Sequence, residues 1–207
     1  MKTRLAEAIG DPLATALYRS LTNAVIGATR PGHEGDFRRV LCFAPDNVEA
    51  EAEIRQWFVC ETLERQEGSD LGERMHRAFV NSFGRGSKAT VLIGTDCLTL
   101  NRDAVASAYQ ALATADVALR SAEDGGYTLI GLRKPQPALF SFIEWSTDTV
   151  LAVTLARAFE AGLRVSVHGP DSDIDTVEDL RRHFATVRSH LDDGVARRIE
   201  DLLKAHT

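Results

Sequence analysis

An α/β fold, with a mostly parallel, doubly wound sheet flanked by helices, is what the 207-residue sequence predicts, on three observations. Strand-like apolar runs alternate with amphipathic helical stretches, the order that parallel crossover units require. The runs at Arg39–Ala44 and Val91–Ile93 are nearly continuous in apolar residues, the signature of strands covered on both faces. The second run ends at Gly94-Thr95-Asp96, which sets a lone carboxylate at the carboxyl end of a strand. Ligands of open α/β sheets sit there.

The elements follow in order. Asp11-Pro12 can cap and start a helix whose apolar residues Leu13, Leu17, Leu21 and Val25 recur every fourth position. Arg30 to Asp36 is a Gly- and Pro-containing loop before the Arg39 strand, and a short helix spans about Val48 to Trp57. Phe58–Leu63 is a second strand candidate. Gly68-Ser69-Asp70 then leads into a helix carrying Leu71, Met75, Phe79 and Phe83, with Asp70 and Glu73 as a capping-box-like start. Beyond the Val91 strand, Asn101 caps a helix through Ala104, Val105, Ala108 and Leu112. Val117–Leu119 and Thr128–Leu132 are strands joined by Ser121 to Tyr127. Thr147 opens a helix with Val150, Leu151, Leu155 and Phe159 that Gly162 terminates, and Leu163–Val167 is a further strand. Thr176 with Asp179 starts the next helix, and Val195–Leu203 forms the last. With no repeat or long linker, residues 1–207 read as one domain.

Composition narrows the function classes. The chain is 44% hydrophobic and 26% charged with a formal charge of −6, which disfavours nucleic acid and anionic membranes as partners. No apolar run has the length of a membrane span, and Met1–Glu7 lacks the apolar segment of a secretory signal, so a cytoplasmic location is expected. Cys42, Cys60 and Cys97 lack zinc-type spacing and are expected to be reduced and mostly buried. The six histidines show no ligand spacing either.

Carboxylates recur where a ligand would lie. Besides Asp96, Glu123-Asp124-Gly125-Gly126-Tyr127 offers acid groups beside a backbone that can approach a ligand closely, and Asp173-Ile174-Asp175-Thr176 offers two more ahead of a helix. Such a gathering without excess base points to a divalent metal, with Asp96 the first ligand, Asp175 the second choice and Asp173 the third. The plain alternatives are that Asp96 satisfies a turn and that Asp173 and Asp175 cap a helix. Asp124 is a candidate general base, provided it reaches an acceptor hydroxyl.

Several segments form an ordered set: Lys2-Thr3-Arg4-Leu5, Asp70–Met75, Gly94-Thr95-Asp96-Cys97, Asp124-Gly125-Gly126-Tyr127 with Leu129–Leu132, Trp145-Ser146-Thr147, and Asp173–Leu180. In order and spacing this set resembles an uncharacterised bacterial family of GT-A-like transferases, of arsenosugar-glycosyltransferase type, within the nucleotide-diphospho-sugar transferase superfamily. More distantly it is similar to the 2-phospho-L-lactate and molybdenum-cofactor guanylyltransferases. The resemblance covers residues 2–180, leaving 181–207 as a helical end. It implies a GT-A-like fold, Mg²⁺ or Mn²⁺ on Asp96 and Asp175, and donor phosphates on Lys2 and Arg4. It further implies nucleotide contacts from Gln66, Gly68, Asp70 and Gly72, and a small acceptor against Gly125, Gly126, Tyr127 and Trp145. The implied reaction is sugar transfer from a nucleotide sugar, the alternative being nucleotidyl transfer from a nucleoside triphosphate with release of pyrophosphate. Sugar, base, acceptor and oligomeric state, including a homo-oligomer, stay open.

Two departures accompany the resemblance. Leu98 stands where the family usually carries proline after the Asp-Cys pair. The usual first strand and Pro/Gly-rich phosphate loop, which precede the Lys-Thr-Arg-Leu motif, are absent ahead of Lys2. Four buried Val, Leu or Ile side chains in such a strand would contribute roughly 6 to 12 kcal/mol, comparable with the roughly 5 to 15 kcal/mol by which whole domains are stable. The expectation is therefore a truncated reading frame, or a gap filled by a partner or a rearranged edge. A non-catalytic nucleotide- or partner-binding remnant is a third functional reading.

Overall fold

The computed structural model describes residues 3–33, 36–44, 47–59, 61–172 and 174–205. Two helices open it, α1 (Thr3–Ile9) and α2 (Asp11–Ala28), followed by β1 (Leu41–Phe43), α3 (Val48–Trp57) and β2 (Leu63–Arg65). Then come α4 (Leu71–Gly84), β3 (Thr90–Ile93), α5 (Arg102–Ala111), β4 (Val117–Ala122) and β5 (Tyr127–Leu132). After a short 3₁₀ turn at Pro137–Leu139 the chain ends with α6 (Val150–Glu160), β6 (Val165–Asp171), α7 (Val177–Arg188) and α8 (Asp193–Ala205).

The strands form a parallel pair, β1 with β2, and a four-stranded sheet of order β3-β5-β4-β6. In the larger sheet β5 runs antiparallel to both neighbours while β4 and β6 pair in parallel, so three of its four strands share one direction. The reversal arises because β4 and β5 are joined by a tight turn at Glu123–Gly126, too short for a parallel crossover. Side-chain alternation then clothes both faces. Val117, Leu119, Ile130 and Leu132 meet Phe79 of α4 and Ala158 of α6, whereas Ala118 and Leu129 meet Ala104, Ala108 and Leu112 of α5 and its C-terminal cap. A separate helical cluster joins Leu5, Leu17, Leu180, Val187 and Ile199.

Hydrogen-bond parity shows which strand edges are open. Gly94 donates to the Thr128 carbonyl at 3.0 Å, continuing the Thr90 and Leu92 pairs, so the peptide groups of Val91 and Ile93 point away from β5. In β1 the Leu41 amide and the Phe43 carbonyl bond toward β2, which turns the Cys42 peptide outward. Among the described residues no strand pairs with either outer edge. A cleft lies against both edges, lined by Val40–Cys42 on one side and Val91–Ile93 on the other.

Several expectations change in detail. The N-cap of α2 is Gly10, with Asp11 and Pro12 inside the first turn, because the chain arrives from α1, a helix the sequence reading did not foresee. The Arg39–Ala44 run is a strand only over Leu41–Phe43 and is partly exposed, because β2 is its sole described partner. The second strand lies at Leu63–Arg65 rather than Phe58–Leu63, since Phe58 still caps α3 and Glu61 bonds back to it at 3.0 Å. Thr147 does not cap α6; its hydroxyl donates to the Glu144 carbonyl at 2.8 Å, and Thr149 occupies the cap. The Asn47, Asp70, Asn101 and Thr176 side chains each accept a helix amide as N-caps.

Candidate functional site

The cleft between β1 and β3 extends over the carboxyl ends of the strands and encloses about 850 Å³. Asp96 reaches it from the turn after β3, Asp124 from the β4–β5 turn and Asp175 from the segment after β6. Three carboxylates distant in sequence thus line one space. Gln66, Gly126, Tyr127 and Trp145 line it as well. Gly68, Asp70, Gly72 and Gly125 are not among the residues that line it. Lys2 and Asp173 lie outside the described residues, as does the Arg4 side chain. Cys60 is outside too.

Each carboxylate is set by local chemistry. The Asp96 side chain folds back over Gly94, where a Cβ would stand 2.9 Å from Oδ1, so any larger residue would displace it. Beside it Thr95 shares a 3.1 Å hydrogen bond with the Tyr18 hydroxyl of α2. Asp124 Oδ1 accepts the Gly126 amide at 2.8 Å, an Asx turn that fixes one oxygen. Asp175 is held through its neighbours: Ile174 is 2% exposed in the helical cluster, and Thr176 and Asp179 close a capping box on α7. The Asp175 amide itself donates to Asp179 Oδ2 at 3.3 Å.

The part of the cleft around Trp145 and Tyr127 is tightly built. A Cβ on Gly72 would stand 2.6 Å from the Trp145 ring, so the glycine lets the indole lie against the first turn of α4. The Tyr127 hydroxyl is buried without a hydrogen-bond partner, and burial pushes its pKa up. Its ring, not its oxygen, is what it offers the cleft. Burial also raises the Cys97 thiol, which bonds Thr99 at 3.0 Å, a structural role rather than a nucleophile's.

Sequence reasoning missed the cations of this cleft. Arg74, one turn into α4, lines it and donates from Nε to the Gly68 carbonyl at 3.2 Å. Arg38 and Arg39 line it from the stretch before β1, and Arg39 is paired with Glu61 and with the Ile26 carbonyl. Position i+4 after the Asp70 cap was the available signal for Arg74, since it falls on the face turned to the strand ends.

Among the described residues no group of three or more His, Cys, Asp or Glu could enclose a metal ion. No described helix is long and apolar enough to cross a membrane. Residues 28–147 match the family described as uncharacterized protein conserved in bacteria, DUF2064. The crystal structure of a protein from Desulfovibrio desulfuricans G20, provisionally named a nucleotide-diphospho-sugar transferase, is similar at TM-score 0.79 and 28% identity, over 93% of each chain. CMP:2-keto-3-deoxy-manno-octonic acid synthetase complexed with CTP is similar at TM-score 0.55 and 11% identity, over 91% of this chain and 92% of that one. For 4-diphosphocytidyl-2C-methyl-D-erythritol synthase the TM-score is 0.54 at 13% identity, over 85% and 88%. The last two likenesses are of fold. No curated protein matches the sequence significantly.

Proposed function

The chain belongs to the DUF2064 family, and from that premise we propose that it is a metal-dependent transferase acting on a nucleotide-activated donor, a glycosyltransferase moving a sugar from a nucleotide sugar to a small acceptor. The observation that carries this reading is that Asp96, Asp124 and Asp175, from three separate strand ends, line one cleft. Because no group of three or more ligating side chains encloses a site among the described residues, Mg²⁺ or Mn²⁺ would be held here by one or two carboxylates, with its remaining positions left to water and phosphate oxygens. Such a cation would neutralise the charge that develops on a departing diphosphate.

The remaining tasks fall to the chain's own residues. Asp96 and Asp175 hold the cation in this reading, and Gln66 with the Gly68–Gly72 segment receives the nucleotide. Arg74 stands close to that segment and is suited to phosphate oxygens through its planar fork, alongside the Lys2 and Arg4 that the resemblance implies. The acceptor rests on the Gly125–Tyr127 turn and Trp145. Asp124, with Oδ1 engaged by Gly126, keeps Oδ2 to take a proton from an acceptor hydroxyl.

A thermal-shift panel of nucleotide sugars and nucleoside triphosphates, with and without Mn²⁺, tests the reading. A donor at a hundred times its dissociation constant adds about 2.7 kcal/mol of stability. The expected result is a Mn²⁺-dependent rise for one nucleotide sugar that Asp96→Ala removes. Unchanged binding in Asp96→Ala overturns the ligand role, and pyrophosphate release from a triphosphate with an acceptor establishes nucleotidyl transfer instead.

A further inference from the structure

The stretch between the 3₁₀ turn and α6 is pinned at two points by glycines of other elements. A Cβ on Gly72 would meet the Phe140 carbonyl oxygen and the Trp145 ring, each at 2.6 Å, and a Cβ on Gly125 would run into the Asp148 backbone. Residues 140–148 thus form a strap from the first turn of α4 to the β4–β5 turn. Between the two anchors Trp145, Ser146 and Thr147 line the cleft. Ser146 holds φ at 66°, a left-handed conformation that a residue other than glycine seldom adopts. Outliers of this kind persist where the surroundings fix them, and they cluster where a side chain is presented to a ligand.

The charge beside this strap is of one sign. Asp124 lines the cleft next to it, on the turn that Asp148 packs against. The arginines of the cleft stand elsewhere: Arg38 and Arg39 precede β1, on the side of β3 away from β5, and Arg74 is tied to the Gly68 carbonyl. Two arginines nearer the turn are already engaged. Arg120 of β4 donates from Nε at 2.7 Å and Nη2 at 2.6 Å to Asp171, a carboxylate only 4% exposed. Arg182 of α7 is shared between Glu123 at 3.6 Å and Asp179 at 3.8 Å. Among the described residues, the strap and the β4–β5 turn place no Lys, Arg or His on the cleft.

This end of the cleft therefore offers the hydroxyls of Ser146 and Thr147, the rings of Tyr127 and Trp145, and the Asp124 carboxylate. Alcohol groups suit such a wall, since they donate to a carboxylate and exchange hydrogen bonds with serine. A phosphate ester would set an anion against Asp124 with no cation to offset it, and like charges so placed are strongly disfavoured. We propose that this end selects an uncharged, hydroxylated acceptor and rejects phosphorylated ones, with Ser146 receiving acceptor hydroxyls and Asp124 turning anions away. The proposal rests on the transferase reading above and narrows it, because nucleotidyl transfer to an acceptor phosphate would need a cation here.

Compounds that differ only by one phosphate test it: glycerol against glycerol 3-phosphate, and glucose against glucose 6-phosphate. Trp145 reports their binding. The chain's other tryptophan, Trp57, lies on α3 against Arg19 at 4.2 Å, so Trp57→Phe leaves Trp145 as the single indole fluorophore. The titration is run without metal, so that no cation draws the phosphate to the donor end. Each neutral compound is expected to bind about tenfold more tightly than its phosphate, a difference of about 1.4 kcal/mol. Asp124→Asn should remove the difference and Asp96→Asn should leave it. Ser146→Gly, in which the left-handed φ costs nothing, should weaken binding of the neutral compounds without lowering the melting temperature. Equal or tighter binding of the phosphates, no response to either neutral compound, or a difference that survives Asp124→Asn overturns the selectivity. Wild-type affinity in Ser146→Gly overturns the role of the strap. Turnover of nucleotide sugars with Mn²⁺ is scored separately: preference for the neutral compounds without turnover overturns the transferase reading alone, and turnover that favours the phosphates overturns the selectivity alone.

Discussion

Gly125 holds φ at 86°, and a Cβ there would stand 2.1 Å from the Asp148 carbonyl oxygen, with that residue's backbone carbon and Cα close behind. The obstacle is backbone on both sides, because the Gly125 carbonyl also accepts the Leu151 amide at 2.9 Å. Gly125→Ala is therefore expected to lose about 1–3 kcal/mol from the left-handed φ alone, with the clash adding to it. Urea unfolding should show a midpoint shift of that sign, and a wild-type midpoint would mean that the turn repacks without cost. The glycine pair was legible in the sequence as a place of close approach, but only Gly125 uses the φ freedom. Gly126 contributes an amide to Asp124 instead. Asp96 was legible as a carboxylate that ends an apolar run, Asp124 as an acid before a glycine pair and Asp175 as an acid ahead of a helix, and all three line the cleft. Asp171 was not legible, since its partners Arg120 and Thr128 lie 51 and 43 positions away and no local pattern announces them.

Most helices were legible because their signals are local: Asp70, Asn101 and Thr176 announce their starts, and spacing gives the buried face, whereas α1 was not foreseen and α6 starts later than Thr147. Strands depend on partners that sequence does not display, which explains the displaced β2 and the shortened β1. The open edge of β3 shows the same dependence. There the Val91 amide is turned away from β5 toward Tyr109 of α5, whose ring stacks with Phe37 at 6.0 Å. Burial raises the phenol's pKa against the lowering effect of the Val91 backbone, so it stays protonated at neutral pH. Tyr109→Phe keeps the ring and removes the oxygen that stands near the edge amide. The expected cost is about 1 kcal/mol, read by chemical denaturation, with faster hydrogen exchange confined to Val91 and its neighbours. Unchanged protection at Val91 would show that the phenol does not close this edge.

At the scale of the molecule the cleft joins two packing units, the clothed sheet and the helical cluster of α1, α2, α7 and α8, with Asp175 in the segment that connects them. Acid should loosen that connection. In Asp179 burial works to raise the pKa, but hydrogen bonds from Thr176 and the Asp175 amide outweigh it and hold the carboxyl below its ordinary value. Asp171 behaves alike, burial again being outweighed, there by Arg120, Thr128 and Thr99. At the surface Glu73 is held at about 2, first by the Ser69 amide, then by Arg77 and the Ser69 hydroxyl, against an ordinary 4.5. A depressed carboxylate contributes stability that is complete above its unfolded pKa and is lost as pH falls through the folded one. Melting temperature should therefore be insensitive to these groups near neutrality and fall progressively below about pH 4.5, with Glu73's share gone by about 2. The Asp175 segment should report the same event locally, because the Asp175 and Thr176 amides both donate to Asp179 Oδ2, at 3.3 and 2.9 Å. Their NMR resonances are expected to titrate together with Asp179, and Asp179→Asn should remove that titration while weakening Mn²⁺ binding at neutral pH. If the two amides stay fixed while the protein loses stability in acid, the segment carrying Asp175 is held by Ile174 and the helical core alone.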